Sequence, residues 1–340
     1  MAQPVLVRGS LHVLRHPVPV VAGFAAVLCV SVALSVMTGA RFLSLPEWWQ
    51  ALVAPGSDLA TAIVWDMRIP RTLVGLAVGA AYGVAGALMQ ALTRNPLADP
   101  GILGVNAGAG VAVTVGAGLT GLTGVAGYQW WAFAGALGAT ALVLAIGAAG
   151  RGPVNPVQLL LGGVAMAALL NGVNRFLTLL DPDTFEAVRT WGVGSIARTR
   201  LDELIPVLPA MAVGCVLAFA LARSLDAMAL GDDVASGLGV RASRTRLGAV
   251  IAITLLAGSA TAITGGLAFI GLMIPHVVRW SLGPDQRLIL TGSLLAAPAL
   301  VLMADSLGRV IAAPGEIEVG ILTAVIGAPL LVTQAWKANP

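Results

Sequence analysis

An all-α, polytopic membrane protein is the fold class this sequence predicts, and three observations predict it. Of 340 residues, 58% are hydrophobic and only 10% are charged, against roughly 25% charged in a soluble globular chain. The mean hydropathy is +0.91. The apolar residues also gather into ten runs of about spanning length, at residues 17–39, 70–92, 102–120, 129–149, 156–180, 203–222, 247–264, 266–282, 288–304 and 317–336.

The first run is long enough to span and lacks a small-residue cleavage site, so it reads as a retained helix. The second, over 75–87, reads GLAVGAAYGVAGA, with Gly75, Gly79, Gly83 and Ala87 recurring every fourth residue. Such a stripe lets another helix backbone approach closely. The run 102–120 and the pair 247–282 are the weakest spans, the pair being divided only by Gly265 and Gly266. No stretch reads as a separate soluble domain, so residues 1–340 form one transmembrane domain. An even number of spans puts both termini on one side, and an internal N-terminus leaves eleven basic residues inside against eight outside. This weak positive-inside bias predicts a multi-pass protein of the cytoplasmic (inner) membrane with both termini cytoplasmic. Arg175 falls late in its run, near the outer face.

The segment DMRIPRTLVG, residues 66–75, sets Arg68 and Arg71 at what reads as the start of the second helix. Cations there oppose the helix macrodipole, although Pro70 suits a first turn. The spacing of three puts both guanidiniums on one face. They fit either a lipid-phosphate anchor or a grip for an acidic partner.

Several activities are excluded by what is missing. A phosphate-binding P-loop needs a lysine after its glycines, and the single lysine is Lys337, so the chain hydrolyses no nucleotide itself. It is not read as an enzyme. The histidines, His12, His16 and His276, have no paired nucleophile, and Cys29 and Cys215 each sit inside an apolar run, which argues against a disulfide or a metal cluster. No cofactor is implied. A net charge of +3 is too small to argue for nucleic acid. No span holds a central acidic pair of the kind proton-coupled carriers use; Asp66 and Asp305 fall at span ends.

Two polar loops remain. Residues 90–110, QALTRNPLADPGILGVNAGAG, hold an Asn-Pro turn signal. Residues 221–247 contain a short helical pattern from about Asp232 to Leu238, with Asp232 and Asp233 in its first turn and Arg241, Arg244 and Arg246 following. A solvated basic loop and a docking helix for a cytoplasmic partner both fit that pattern.

Taken together, RIPRTL, GALMQALTRNPLADPGILGVNAGA, MALGDDVASGLGV, GGLAFIGLMIPHVVRW and ADSLGRV…PGEIEVGILTAVIGAP resemble the FecCD family of ABC-importer permeases, which serves vitamin B12 and iron siderophores. The resemblance runs from about residue 30 to 333. It implies ten membrane helices in the type II importer permease fold. The partners it implies are a second permease subunit, with a paralogous heterodimer favoured, two cytoplasmic ABC ATPases and an extracytoplasmic binding protein. The cargo it implies is a ferric siderophore of catechol type, with vitamin B12 or haem as the alternative within the family and a stand-alone secondary transporter as the alternative outside it. Residue by residue, Arg68, Arg71 and Arg309 match arginines that grip the binding protein. The region 226–240 matches the ATPase coupling helix, through Leu230, Gly231, Asp232, Asp233, Ala235, Leu238 and Gly239. Asn95 and Leu97, with Asn155, Pro156 and Val157, match the cytoplasmic gate. Ile317 and Glu318 replace a common Leu-Pro, and Leu330 and Leu331 replace a common aromatic pair.

Overall fold

The computed structural model describes residues 17–39, 41–121, 124–148, 156–180, 188–189 and 191–338. Side chains at 148, 156, 157, 159, 330, 331 and 334–338 are outside that description. The long helices are α1 (Pro17–Met37), α4 (Ile69–Thr93), α5 (Val105–Thr120), α6 (Val125–Ala148), α7 (Pro156–Leu180), α9 (Leu208–Ala229), α11 (Ala242–Thr264), α12 (Ile270–Leu282), α13 (Gln286–Ile311) and α14 (Val319–Ala338). Short helices α2 (Leu45–Val53), α3 (Leu59–Ala62), α8 (Leu201–Leu204) and α10 (Asp232–Gly237) lie in the connections.

Every one of the ten apolar runs contains a helix, but only seven helices among the described residues are long and apolar enough to cross a membrane. The three that fall short are α5, the apolar part of α14 (Val319–Pro329) and the 13-residue α12. At 1.5 Å per residue α12 extends about 20 Å, less than the hydrocarbon core of about 30 Å.

The helices divide into hub and ring. The most apolar windows of α4 and α11 are each 78% buried and that of α13 is 67% buried; the corresponding values are 11% for α1 and 6% for α7. Glycine builds the hub. A Cβ on Gly79 would stand 2.5 Å from Pro298 Cα, and one on Gly83 would stand 2.7 Å from Ser293 O. The middle of the α4 stripe, Gly79 and Gly83, therefore lies against the α13 backbone, while Gly75 makes room for the Leu302 side chain. Gly86 does the same against Gly271 of α12.

The break between α11 and α12 is satisfied by protein rather than water, as non-helical backbone at membrane depth must be. Gly265 closes α11 at φ 74° and Phe269 opens α12 at φ 68°. The Tyr82 hydroxyl accepts from Leu267 N at 3.3 Å and shares a 2.7 Å bond with Thr261, whose hydroxyl donates to Asn106 at 2.8 Å. The segment before α8 covers the last α11 carbonyls. Ser195 N donates to Thr264 O at 2.8 Å, and Thr199 donates to Ile263 O at 2.6 Å.

One local expectation is overturned. Residues 66–75 are not a helix start: helix runs without interruption from Leu59 to Thr93, with a wide π-helical turn at Ile63–Arg68. Arg68 and Arg71 sit inside this continuous helix, so the conflict with the dipole disappears.

Candidate functional site

One end of the bundle holds the C-terminus of α1, the π-turn, α8 and the α13–α14 connection. They surround an open basin of about 840 Å³. Six arginines (Arg41, Arg68, Arg71, Arg198, Arg200 and Arg309) and three carboxylates (Asp66, Asp202 and Glu316) line it.

The arginines fall into two groups. Arg68 is 4% exposed and Arg309 is 2% exposed. Arg68 donates to Val36 O (3.1 Å), Met37 O (2.5 Å) and Arg41 O (2.6 Å). Arg309 donates to Ser35 O (3.1 Å) and Thr38 O (2.7 Å). Apart from Arg41 O, these carbonyls lie at the end of α1, where a helix leaves acceptors without partners, so the two guanidiniums cap α1. Arg71 turns the other way. Its Nε and Nη2 meet Asp305 at 3.0 and 2.6 Å, and its Nη1 meets Glu316 at 2.7 Å. Asp305, 1% exposed, also holds Arg309 at 3.1 Å. The buried charges thus form one network joining α1, α4 and α13. Arg41, Arg198 and Arg200 are exposed on the rim, with Arg198 3.6 Å from Glu318 and Arg200 3.2 Å from Asp202.

At the opposite end α10 follows Gly231, whose φ of 114° suits glycine alone. Asp232 receives Arg94 of the α4 terminus and Arg246 of α11, both at 2.5 Å. The hydrogen bond from Arg246, followed by that from Arg94, holds the Asp232 carboxyl below its ordinary range. Ala235 is buried, whereas Leu230, Val234 and Leu238 are 68%, 49% and 64% exposed. Val234 lies on α10 and Leu230 and Leu238 flank it, so the three make an exposed apolar cluster in this loop. A Cβ on Gly237 or Gly239 would meet nothing within 4 Å, so this face is open.

Beside α10, Asn95 accepts from Leu97 N at 2.9 Å, which makes Asn95 a turn-former. Asp99 caps Gly101 N at 2.8 Å, and burial pushes its carboxyl up to about 6. Asn155 lies outside the described residues; Pro156 and Val157 open α7, with side chains outside the description. Sequence reading had no means to see Asp305 and Glu316 as counter-ions of Arg71, or Asp232 as the link between α4 and α11. The signal available was one of charge balance: carboxylates are few, and two of them flank Arg309 within eleven residues of one another.

A polytopic helical bundle with a basic basin at one end and an ion-clasped loop helix at the other defines the class: a membrane transport protein. Residues 27–337 match the FecCD transport family, and the chain belongs to that family. It is 47% identical to the ferric enterobactin transport system permease protein FepD of Escherichia coli (strain K12) over 312 residues, covering 92% of this chain and 93% of the relative. It is 37% identical to the iron(3+)-hydroxamate import system permease protein FhuB of Bacillus subtilis (strain 168), covering 91% of this chain and 81% of that one. A solved structure described as an inward-facing conformation of a metal-chelate type ABC transporter superposes with a TM-score of 0.82 at 24% identity, covering 95% of this chain and all of the other. That likeness concerns the fold.

Proposed function

We propose that this chain is the membrane-spanning permease subunit of an ABC importer for a ferric siderophore, of catechol type. The basin faces outward and α10 faces the cytoplasm, which leaves both termini inside. Two ATPase subunits on the cytoplasmic face, a paralogous second permease and an extracytoplasmic binding protein complete the importer. The chelate class rests on the likeness to the enterobactin permease.

The observation that carries the reading is the exposed apolar cluster of Leu230, Val234 and Leu238. Three large apolar side chains exposed on and beside a six-residue helix, beyond the end of a membrane bundle, mark a protein contact. A chain without a phosphate-binding lysine requires such a contact to be driven by ATP. Asp232 then links that contact to Arg94, immediately before the Asn95 turn, so a push on α10 reaches the inner ends of α4 and α11 directly. The basin would receive acidic side chains of the binding protein through Arg41, Arg198, Arg200 and the accessible edge of Arg71. Arg68 and Arg309 are the frame behind them. This differs from a grip by all three of Arg68, Arg71 and Arg309.

The test is to purify the importer from its own operon and reconstitute it in liposomes with ferric enterobactin and the binding protein. The expected result is ATP-dependent uptake that is lost in a Leu230→Asp, Leu238→Asp double variant, whose ATPase subunits no longer co-purify. An importer that retains its ATPases and full uptake with both substitutions would reject the coupling assignment.

A further inference from the structure

The two most lipid-accessible spans, α1 and α7, treat polar side chains in opposite ways. On α1 the exposed positions are Pro, Val, Ala, Gly, Cys, Leu and Met, and both serines in its body, Ser31 and Ser35, are buried. That is the pattern of a helix facing hydrocarbon. On α7, Asn174 turns inward, where Thr114 donates to it at 2.5 Å. Asn171 and Arg175, however, are exposed. They lie one turn apart on one face. Neither side chain has a hydrogen-bond or ion-pair partner among the described residues.

Depth separates the possible surroundings. Arg175 lies five residues before the end of α7, or about 7 Å down the helix, within reach of headgroups for a long side chain. Asn171 lies nine residues before the end, about 13 Å down. An amide on so short a side chain cannot reach the interface from there, and left unpaired in lipid it costs several kcal/mol. The face carrying both residues therefore meets water, a polar ligand or polar groups of the paired permease. It is also open in shape: a Cβ on Gly172 would meet nothing within 4 Å.

We infer that Asn171 and Arg175 form a polar step on the wall of the translocation pathway, where the Arg175 guanidinium recognises an anionic chelate. A ferric tris-catecholate carries net negative charge on its oxygens, to which a guanidinium donates charge-assisted hydrogen bonds. A neutral ferric chelate gains much less from the same contact. This assignment rests on the chelate-importer reading above and names Arg175 as a specificity-determining residue within it.

Two measurements on the reconstituted complete importer test it. In a Cys29→Ser, Cys215→Ser background, Arg175→Cys should react with a water-soluble thiosulfonate reagent. Failure to react, or reaction only in the permease chain freed of its partners, places the residue against lipid or a neighbouring subunit and overturns the pathway assignment. Uptake of ferric enterobactin should then fall in the order Arg, Lys, Gln, Glu at position 175. The neutral glutamine should lose about tenfold or more, the scale of one hydrogen bond to a charged group. Lysine, which keeps the charge, should stay within about threefold and serves as the folding control. Uptake independent of charge at 175 overturns the recognition role even where the cysteine reacts. No uptake by the unsubstituted importer rejects the chelate class itself, while labelling of the cysteine still decides whether this face is wet.

Discussion

The basin end and the α10 end both concentrate arginine and carboxylate, yet they use them differently. At the basin end the central charges are buried and bonded to one another and to the α1 carbonyls; Asp305 and Arg309 are 1% and 2% exposed. At the α10 end the carboxylate of the clasp is 41% exposed and Arg94 is 40% exposed, while Arg246 is 7% exposed, so only the Arg94 half of the clasp is solvated. A buried ion network fixes geometry because breaking it strands a charge. A solvated ion pair contributes little to stability and yields to a partner easily. The first end is built to hold shape and the second to give way, as the proposed coupling role would require.

The largest effect expected from this contrast is at Asp305. Asp305→Ala leaves Arg71 and Arg309 short of their shared carboxylate and should cost about 3–5 kcal/mol, read as collapse of the thermal midpoint or of folded yield in detergent. A stable Asp305→Ala protein would erase the distinction between the two ends. Next is Arg68→Ala, which frees two α1 carbonyls and that of Arg41 and should cost about 2–3 kcal/mol on the scale of hydrogen bonds to charged groups. Arg198→Glu with Arg200→Glu sharpens the contrast from the other side. These rim residues should leave the thermal midpoint unchanged while binding-protein affinity falls about tenfold and its salt dependence flattens.

Smaller effects are expected at the α10 end. Asp232→Asn keeps an acceptor for the buried Arg246 and should cost about 1–2 kcal/mol but lower the chelate moved per ATP hydrolysed. Because the folded carboxyl is held below its ordinary value, its stabilising contribution is complete at neutral pH. That contribution disappears only as pH falls below about 4. Asp99 has the opposite sign. Its folded value of about 6 lies above the unfolded one, so its charged form is penalised. The penalty is absent below about pH 4, grows toward pH 6 and is complete above it. Asp99→Asn keeps an acceptor for Gly101 N and should raise the thermal midpoint slightly at pH 8 but not at pH 4. An equal shift at both would assign the effect to packing.

Local features of this architecture were readable from the chain, and long-range ones were not. The acids opening α10, the break at Gly265–Gly266 and the glycine stripe of α4 are each written within a few residues, and each appears where the pattern placed it. The roles of Arg68 and Arg71 are not local. Arg68 is bonded to carbonyls 27 to 32 residues upstream, and backbone acceptors leave no mark on composition. The π-turn was equally hidden: Asp66 and Arg68 mark a charged edge before the apolar run, and the helix continues through it because α1, which contacts the turn, satisfies Arg68. On α7 the sequence showed Arg175 near one face of the membrane, but only the packing of Asn174 against Thr114 reveals which side of the helix Asn171 and Arg175 present.

The separation of 234 residues between Arg71 and Asp305 also has a consequence for biogenesis. A ribosome making roughly 5–20 residues per second needs about 12 to 47 seconds to cover it. Throughout that interval α4 is already made, while its counter-ion and the α13 surface that matches its glycines do not yet exist. The nascent chain must therefore keep one of its two most buried helices sheltered by the insertion machinery or by loosely held early helices. Chains truncated before Asp305 should be targets of membrane quality control.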